Sequence, residues 1–287
     1  MKKVLLTGGS GFIGGNIKPF LKNRYHVFSP SRQELDLRNS ESVKSYIMQH
    51  NFDVVVHLAS PSPVRSATLD SYDNLFKDCL NIFLNIYSVR DYCGKIIYSG
   101  SGAEYDKRFD IVNISESSIG DKIPTDDYGR AKYIMNELAR NSNNIYNLRI
   151  FGCYGPNEYD SKFITHAIKC CLQNKDITIR QDCMFDYLYV DDYAKFVIYC
   201  IENDLKYHDY NVTSGRRVLL SEIAQIVKSN FELDTDIVIR SDGLNKEYTA
   251  SNARIISEIK KDIKIIELED GIKRLIEWMK NNEKESC

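Results

Sequence analysis

The stretch "KVLLTGGSGFIGGNIKPFLK", residues 3–22, decides the fold. Val4, Leu5 and Leu6 make an apolar run too short for a helix, and the run stops at Gly8-Gly9, so it reads as a strand over 3–7. A helix is expected over 12–22. Gly8, Gly11 and Gly14 fall in the turn between them at the spacing G-x-x-G-x-x-G. Without side chains there, the backbone can turn tightly and approach a pyrophosphate at the helix N-terminus. A glycine triplet alone is weak evidence; its position at the first strand-to-helix turn makes it strong. Phe12 and Ile13, in the first helical turn, belong to the same expected cofactor site.

The pattern repeats outward from this unit. "HVFS" (26–29), "DVVVHLA" (53–59), "KIIYS" (95–99) and "YNLRIF" (146–151) read as strands, and 40–50, 73–92 and 127–142 read as helices. Short runs rich in Val, Ile and Leu between helices are what a parallel sheet covered on both faces requires. The fold class is α/β, a Rossmann-type doubly wound parallel sheet. After "YGPNEYD" (154–160) the pattern loosens. Helices are expected at 161–174, 191–203, 220–230 and 268–282, with strands at "ITIR" (177–180) and "DIVIR" (236–240). These form a smaller α/β C-terminal lobe, dividing the chain at 1–155 and 156–287 with some crossing between the two.

Composition narrows the function. The 287 residues carry 38 basic and 40 acidic side chains, a net charge of −2, with no long Lys/Arg cluster. No broad footprint for nucleic acid or an anionic membrane follows. No apolar run approaches the ~20 residues of a spanning helix, and the apolar start "VLL" is too short for a signal-peptide core. A cytoplasmic protein is expected. The eight cysteines form no CxxC pair and the five histidines show no ligand spacing. Free thiols are expected and no metal site.

The second strand ends "HVFSPSRQELDL". Ser29, Ser31 and Arg32 stand where dinucleotide sites that select NAD carry an acid for the ribose 2′-hydroxyl. A guanidinium there suits a 2′-phosphate, which favours NADPH; a plain surface arginine is the alternative. Asp36 and Leu37 are expected at the adenine, and Leu58, Ala59 and Ser60 close the third strand against the cofactor.

"DDYGRAK" places Tyr128 and Lys132 four residues apart, on one helix face. A phenol ionises near pH ~10 in water, so a tyrosine shuttles protons at neutral pH only when a neighbouring cation favours its phenolate. Lys132 can supply that charge. "IIYSGSGAEYD" (96–106) ends the fourth strand on small and hydroxyl-bearing residues, among them Ser101.

In order, "TGGSGFIG", "HLAS", "YSGSGAEY", "YGRAK", "LRIFGCYGP" and "FDYLYVDD" resemble the extended short-chain dehydrogenase/reductase superfamily, in its nucleotide-sugar-modifying branch. "SRQELDLRNSESVKSYI" is most similar to the GDP-fucose synthases. The resemblance covers nearly the whole chain. It implies NAD(P) on the first domain, a nucleotide-diphosphate sugar on the second lobe, a homodimer, and a place in bacterial surface-glycan synthesis. Ser101, Tyr128 and Lys132 match the catalytic serine, tyrosine and lysine, with Tyr128 and Lys132 also touching the cofactor.

The departures from the pattern are equally informative. The Asp-Glu pair of the 4,6-dehydratases is Gly102 and Ala103 here. The cysteine and histidine that perform 3,5-epimerisation in GDP-fucose synthases are matched to Ala103 and Asn157. Glu104 is the nearest acid, and strand alternation turns it away; Cys153 is nearby in sequence. Hydride transfer at one carbon remains, so a 4-ketoreductase is expected. A 4-epimerase with retained NAD and a non-catalytic dinucleotide-binding protein are the rivals. Gly152 and Phe185 replace the asparagine and arginine the family often places near the diphosphate, leaving Arg180, Arg216, Arg217 and Arg254 as candidates to hold it.

Overall fold

The computed structural model describes residues 1–61, 74–259 and 263–285. Strand β1 (Lys3–Thr7) leads through helix α1 (Phe12–Lys22) to β2 (His26–Phe28), and α2 (Ser40–His50) leads on to β3 (Val54–His57). Helix α3 (Leu75–Ser88) precedes β4 (Lys95–Ser101), and β5 (Ile111–Ile114) follows a single 3-10 turn, Gly102–Glu104. The expected helix over 73–92 thus starts at Leu75, with residue 73 outside the described residues.

Helix α4 (Asp127–Arg140), β6 (Ile145–Ile150), β7 (Gly152–Tyr154), α5 (Phe163–Leu172), β8 (Ile177–Asp182), β9 (Met184–Phe185) and β10 (Tyr187–Tyr189) come next. The chain continues through α6 (Val190–Glu202), β11 (Asp209–Val212), β12 (Val218–Leu219), α7 (Leu220–Lys228), β13 (Ile237–Leu244), β14 (Tyr248–Ala250), α8 (Ala253–Ile259) and α9 (Leu268–Glu285).

Six strands form the central sheet in the order β11-β6-β4-β3-β1-β2, every pairing parallel. Its middle strand β3 is buried throughout because helices cover both faces; Val54, Val55 and Val56 are all buried. The chain leaves β1 for β2 on one side and returns to β3 on the other, which opens a crevice at the C-terminal edge.

Two segments after residue 155 belong to this layer. Helix α6 packs its Tyr193, Phe196 and Val197 into the core beneath β1 and β6. Strand β11, "DYNV", pairs with β6 from Asp209↔Asn147 to Val212↔Ile150. Periodicity missed β11 because two of its four residues are polar; both are buried against Arg149.

A separate apolar core joins α5, α7 and α9 over β8. A four-stranded sheet in the order β12-β9-β14-β5 brings Tyr248 of β14 beside Ile111 and Phe185. Among the described residues the cysteines are free, no group of His, Cys, Asp or Glu could hold a metal ion, and no helix is long and apolar enough to cross a membrane.

Candidate active site

One cavity of ≈ 1310 Å³ runs along the C-terminal edge of the sheet, and Gly8, Gly11, Ser31, Arg32, Ser101, Tyr128 and Lys132 all line it. The glycine turn forms one end. Gly8 takes φ +71°, and a Cβ there would lie 2.6 Å from the Ala59 amide nitrogen; a Cβ on Gly14 would lie 2.1 Å from the Gly8 carbonyl oxygen. Only bare backbone lets the turn close against the end of β3. Helix α1 begins at Gly11 with no side-chain cap and no acid in its first turn. Its first amides are therefore without a side-chain partner, a cradle that fits the pyrophosphate of a dinucleotide.

Phe12, Ile13, Leu58, Ala59 and Ser60 continue this wall, and Ser31, Arg32, Asp36 and Leu37 form the far rim. Among the described residues Arg32 makes no ion pair, while the Asp36 carboxylate is taken by Arg38 at 3.0 Å and held below its usual range by it.

The middle of the cavity holds Ser101, Tyr128 and Lys132. Ser101 closes β4, where its hydroxyl accepts the Ala103 amide at 3.2 Å. Tyr128 and Lys132 project from the first turns of α4, which Asp126 caps by accepting the Gly129 amide at 2.9 Å. Lys132 is buried; its Nζ donates to the Ser99 carbonyl at 3.0 Å and stands 5.7 Å from the centre of the Tyr128 ring. Beneath it His57 pairs with Thr7 Oγ1 at 2.8 Å. Burial, helped by the Lys132 charge, pushes His57 down to about 3, so the imidazole stays neutral.

The acids and thiols near Ser101 sort by where they point. Glu104 is absent from the cavity wall and fully buried, where it accepts the Ser101 amide at 3.0 Å and Arg149 Nε at 2.6 Å. Its carboxylate braces the end of β4 from behind. Cys153 lines the cavity, and burial pushes its thiol well up, which keeps the sulfur protonated. Asn157 does not line the cavity, but Glu158 beside it does. Glu158 accepts Thr165 Oγ1 at 3.1 Å, and burial lifts its carboxyl to about 8.

The substrate end differs from expectation. None of Arg180, Arg216, Arg217 and Arg254 lines the cavity. Arg216 pairs with Glu269 at 2.8 Å, Arg217 with Glu247 at 2.7 Å and Arg254 with Asp209 at 2.8 Å. The cations on this wall are Lys107, Lys162 and Lys246. Single lysines on loops carry no motif, which is why the sequence did not single them out.

Aromatic rings complete the wall. Phe185, standing where the family often has arginine, stacks on Tyr187 at 5.0 Å and meets Tyr248 at 5.2 Å. Tyr248 also packs on Phe151 at 4.9 Å. A Cβ on Gly102 would lie 2.3 Å from the Tyr248 hydroxyl. Tyr248 is far from Ser101 in sequence and belongs to no motif, so only the fold reveals it.

A model of the NAD dependent epimerase/dehydratase family matches residues 4–213. Over nearly their whole lengths, the chain is 26% identical to a putative UDP-glucose 4-epimerase of Methanocaldococcus jannaschii, covering 97% of this chain and 99% of that one. It is 27% identical to a dTDP-4-dehydro-6-deoxyglucose reductase of Escherichia coli, covering 95% and 96%. A GDP-L-fucose synthetase structure from Naegleria fowleri superposes with a TM-score of 0.85 at 18% identity, covering 99% and 94%, a likeness of fold.

Proposed function

Because the chain belongs to the NAD dependent epimerase/dehydratase family, we propose that it is an NADPH-dependent reductase of a 4-keto nucleotide-diphosphate sugar. The observation that carries this reading is the chemistry beside Ser101. Gly102 and Ala103 offer no acid or base, Glu104 faces away into an ion pair with Arg149, and a tyrosine hydroxyl fills the space over Gly102. Elimination across C5–C6, or proton exchange at C3 and C5, needs a base close to the ketone. Reduction at C4 does not.

When bound, the reduced nicotinamide supplies a hydride to carbon. The chain's own residues then have limited tasks. Ser101 donates a hydrogen bond to the C4 oxygen, Tyr128 passes a proton to that oxygen as it gains charge, and Lys132 supports the charge left on the tyrosine. Arg32 at the rim supports a 2′-phosphate, and Lys107, Lys162 and Lys246, which line the same cavity, are the cations proposed to meet a diphosphate. The reductase name of the Escherichia coli relative supports the reading.

A 4-epimerase is the second reading, favoured by the name of the Methanocaldococcus relative, and it needs the same three residues. Incubation with a 4-keto nucleotide sugar in deuterated water separates the two. The reductase consumes one NADPH per sugar and places no solvent deuterium on carbon beyond a no-enzyme control. Interconversion of 4-epimers without net NADPH consumption would overturn the reading. Tyr128→Phe, which keeps the ring, is expected to lose about 10²- to 10⁴-fold in turnover.

A further inference from the structure

We propose that three residues behind the cavity, Glu104, Asn147 and Asn136, are positioning residues that hold the Ser101 hydroxyl at a fixed place relative to Tyr128 and Lys132. The inference rests on the C4 chemistry proposed above, in which Ser101 and Tyr128 must meet the same substrate oxygen. The two come from different elements: Ser101 ends β4 and Tyr128 opens α4. Glu104, Asn147 and Asn136 are fully buried, and none of them lines the cavity.

Their contacts run in an unbroken line from one element to the other. Glu104 accepts the Ser101 backbone amide at 3.0 Å while Ser101 Oγ accepts the Ala103 amide at 3.2 Å, so the serine is held at both its backbone and its hydroxyl. On its other side the Glu104 carboxylate accepts Asn147 Nδ2, at 3.1 Å and 3.0 Å from its two oxygens. Asn147, on β6, donates from the same nitrogen to Asn136 Oδ1 at 2.8 Å. Asn136 belongs to α4, where Tyr128, Lys132 and Asn136 follow one another at four-residue spacing along one face.

The chemistry of each group sets its direction. A carboxylate only accepts, and an amide nitrogen carries two hydrogens. One Asn147 hydrogen therefore bridges the Glu104 oxygens and the other goes to Asn136. Arg149 Nε, at 2.6 Å, supplies the charge that lets the carboxylate stay buried. The backbone makes room for the line: a Cβ on Gly100 would collide with the side-chain oxygens of both Asn147 and Glu104. Glycine between Ser99 and Ser101 is thus the condition for Glu104 to fold back on the serine. Apolar packing in this place would let α4 slide against β4, whereas a buried hydrogen bond loses its partner when either side moves.

Two experiments test this. In steady-state turnover of a 4-keto nucleotide sugar with saturating NADPH, well below the Tm, Asn136→Leu is expected to lower kcat about tenfold with little change in KM, short of the ~10²-fold that a 1 Å misplacement can cost. A role confined to stability would lower Tm and leave kcat alone. In the Ser101→Ala background the same change is expected to cost nothing more, because a spacing between two groups stops mattering once one is gone. An unchanged kcat from Asn136→Leu alone, or equal losses in both backgrounds, would overturn the inference.

The second experiment reads thermal unfolding of Asn136→Leu, Asn147→Leu and the double variant, and needs no substrate. The Tm loss from Asn136→Leu is expected to shrink once residue 147 is changed; fully additive losses would show that β6 and α4 are not joined through these side chains and overturn the inference. If the unmodified protein turns over no 4-keto sugar by reduction or epimerisation, the proposed function fails while this cycle still decides the line from Ser101 to α4.

Discussion

Glu158 shows how a single buried group can set a pH response. Folding raises its carboxyl from 4.5 to about 8, chiefly through burial. Between those values the folded chain holds a proton that the unfolded chain has released, so stability falls as pH climbs through that window. The group's contribution is fully present below about 4.5 and lost above about 8. Glu158→Gln keeps an acceptor for Thr165 and cannot ionise. Its Tm is expected to match the unmodified protein near pH 5 and to exceed it by several degrees near pH 8, at roughly 2 °C for each kcal/mol in a chain of this size. Circular-dichroism melts at the two pH values check this; a constant difference between them would remove Glu158 as the titrating group.

At the scale of elements, the relation between α4 and the end of β4 sets the site. Gly129 lies one residue after Tyr128, and a Cβ there would come 2.6 Å from the Ala103 carbonyl oxygen and 2.8 Å from Pro124 Cβ. The bare backbone lets the helix lie directly on the turn that follows Ser101. Gly129→Ala is expected to lift the helix start and carry Tyr128 and Lys132 with it. Alanine is the better helix former by ~1 kcal/mol, so the helix itself survives while its position shifts. A misplacement of about 1 Å can cost ~10²-fold in rate, and a loss of that order in kcat is the expected outcome. An unchanged kcat would mean that the turn gives way instead.

Across the whole molecule, Arg149 ties the end of β4 to β11, the edge strand that the chain adds to the same sheet after residue 155. Fully buried on β6, it donates to Glu104 at 2.6 Å, to Asn211 Oδ1 at 2.9 Å and to Asp209 at 3.3 Å. Arg254 of α8 joins the same Asp209 at 2.8 Å and lies 3.5 Å from Glu116, whose carboxylate accepts the Asn211 amide at 2.8 Å. One side chain thus satisfies groups from the end of β4 and from β11. Arg149→Met fills similar volume but strands Glu104 as a buried charge and leaves Asp209 to Arg254 alone, for which a loss of about 3–5 kcal/mol is expected in urea unfolding. A loss under ~1 kcal/mol would show that Glu104 simply takes up a proton.

The sequence by itself determined the doubly wound sheet and the residues that form the glycine-turn end and the middle of the cavity. Both rest on local signals: an apolar strand, a glycine turn whose backbone geometry tolerates no Cβ, and a Tyr–Lys pair that one helix sets on one face. Tertiary structure alone decided the rest of the cavity wall. Strand β11 is hidden by its own polar residues, which burial permits only because Arg149 answers them. The arginines at 216, 217 and 254 are drawn off by carboxylates that only folding brings near. Tyr248 comes to lie over Gly102 because β14 pairs with strands from two other parts of the chain, a placement that no periodicity encodes.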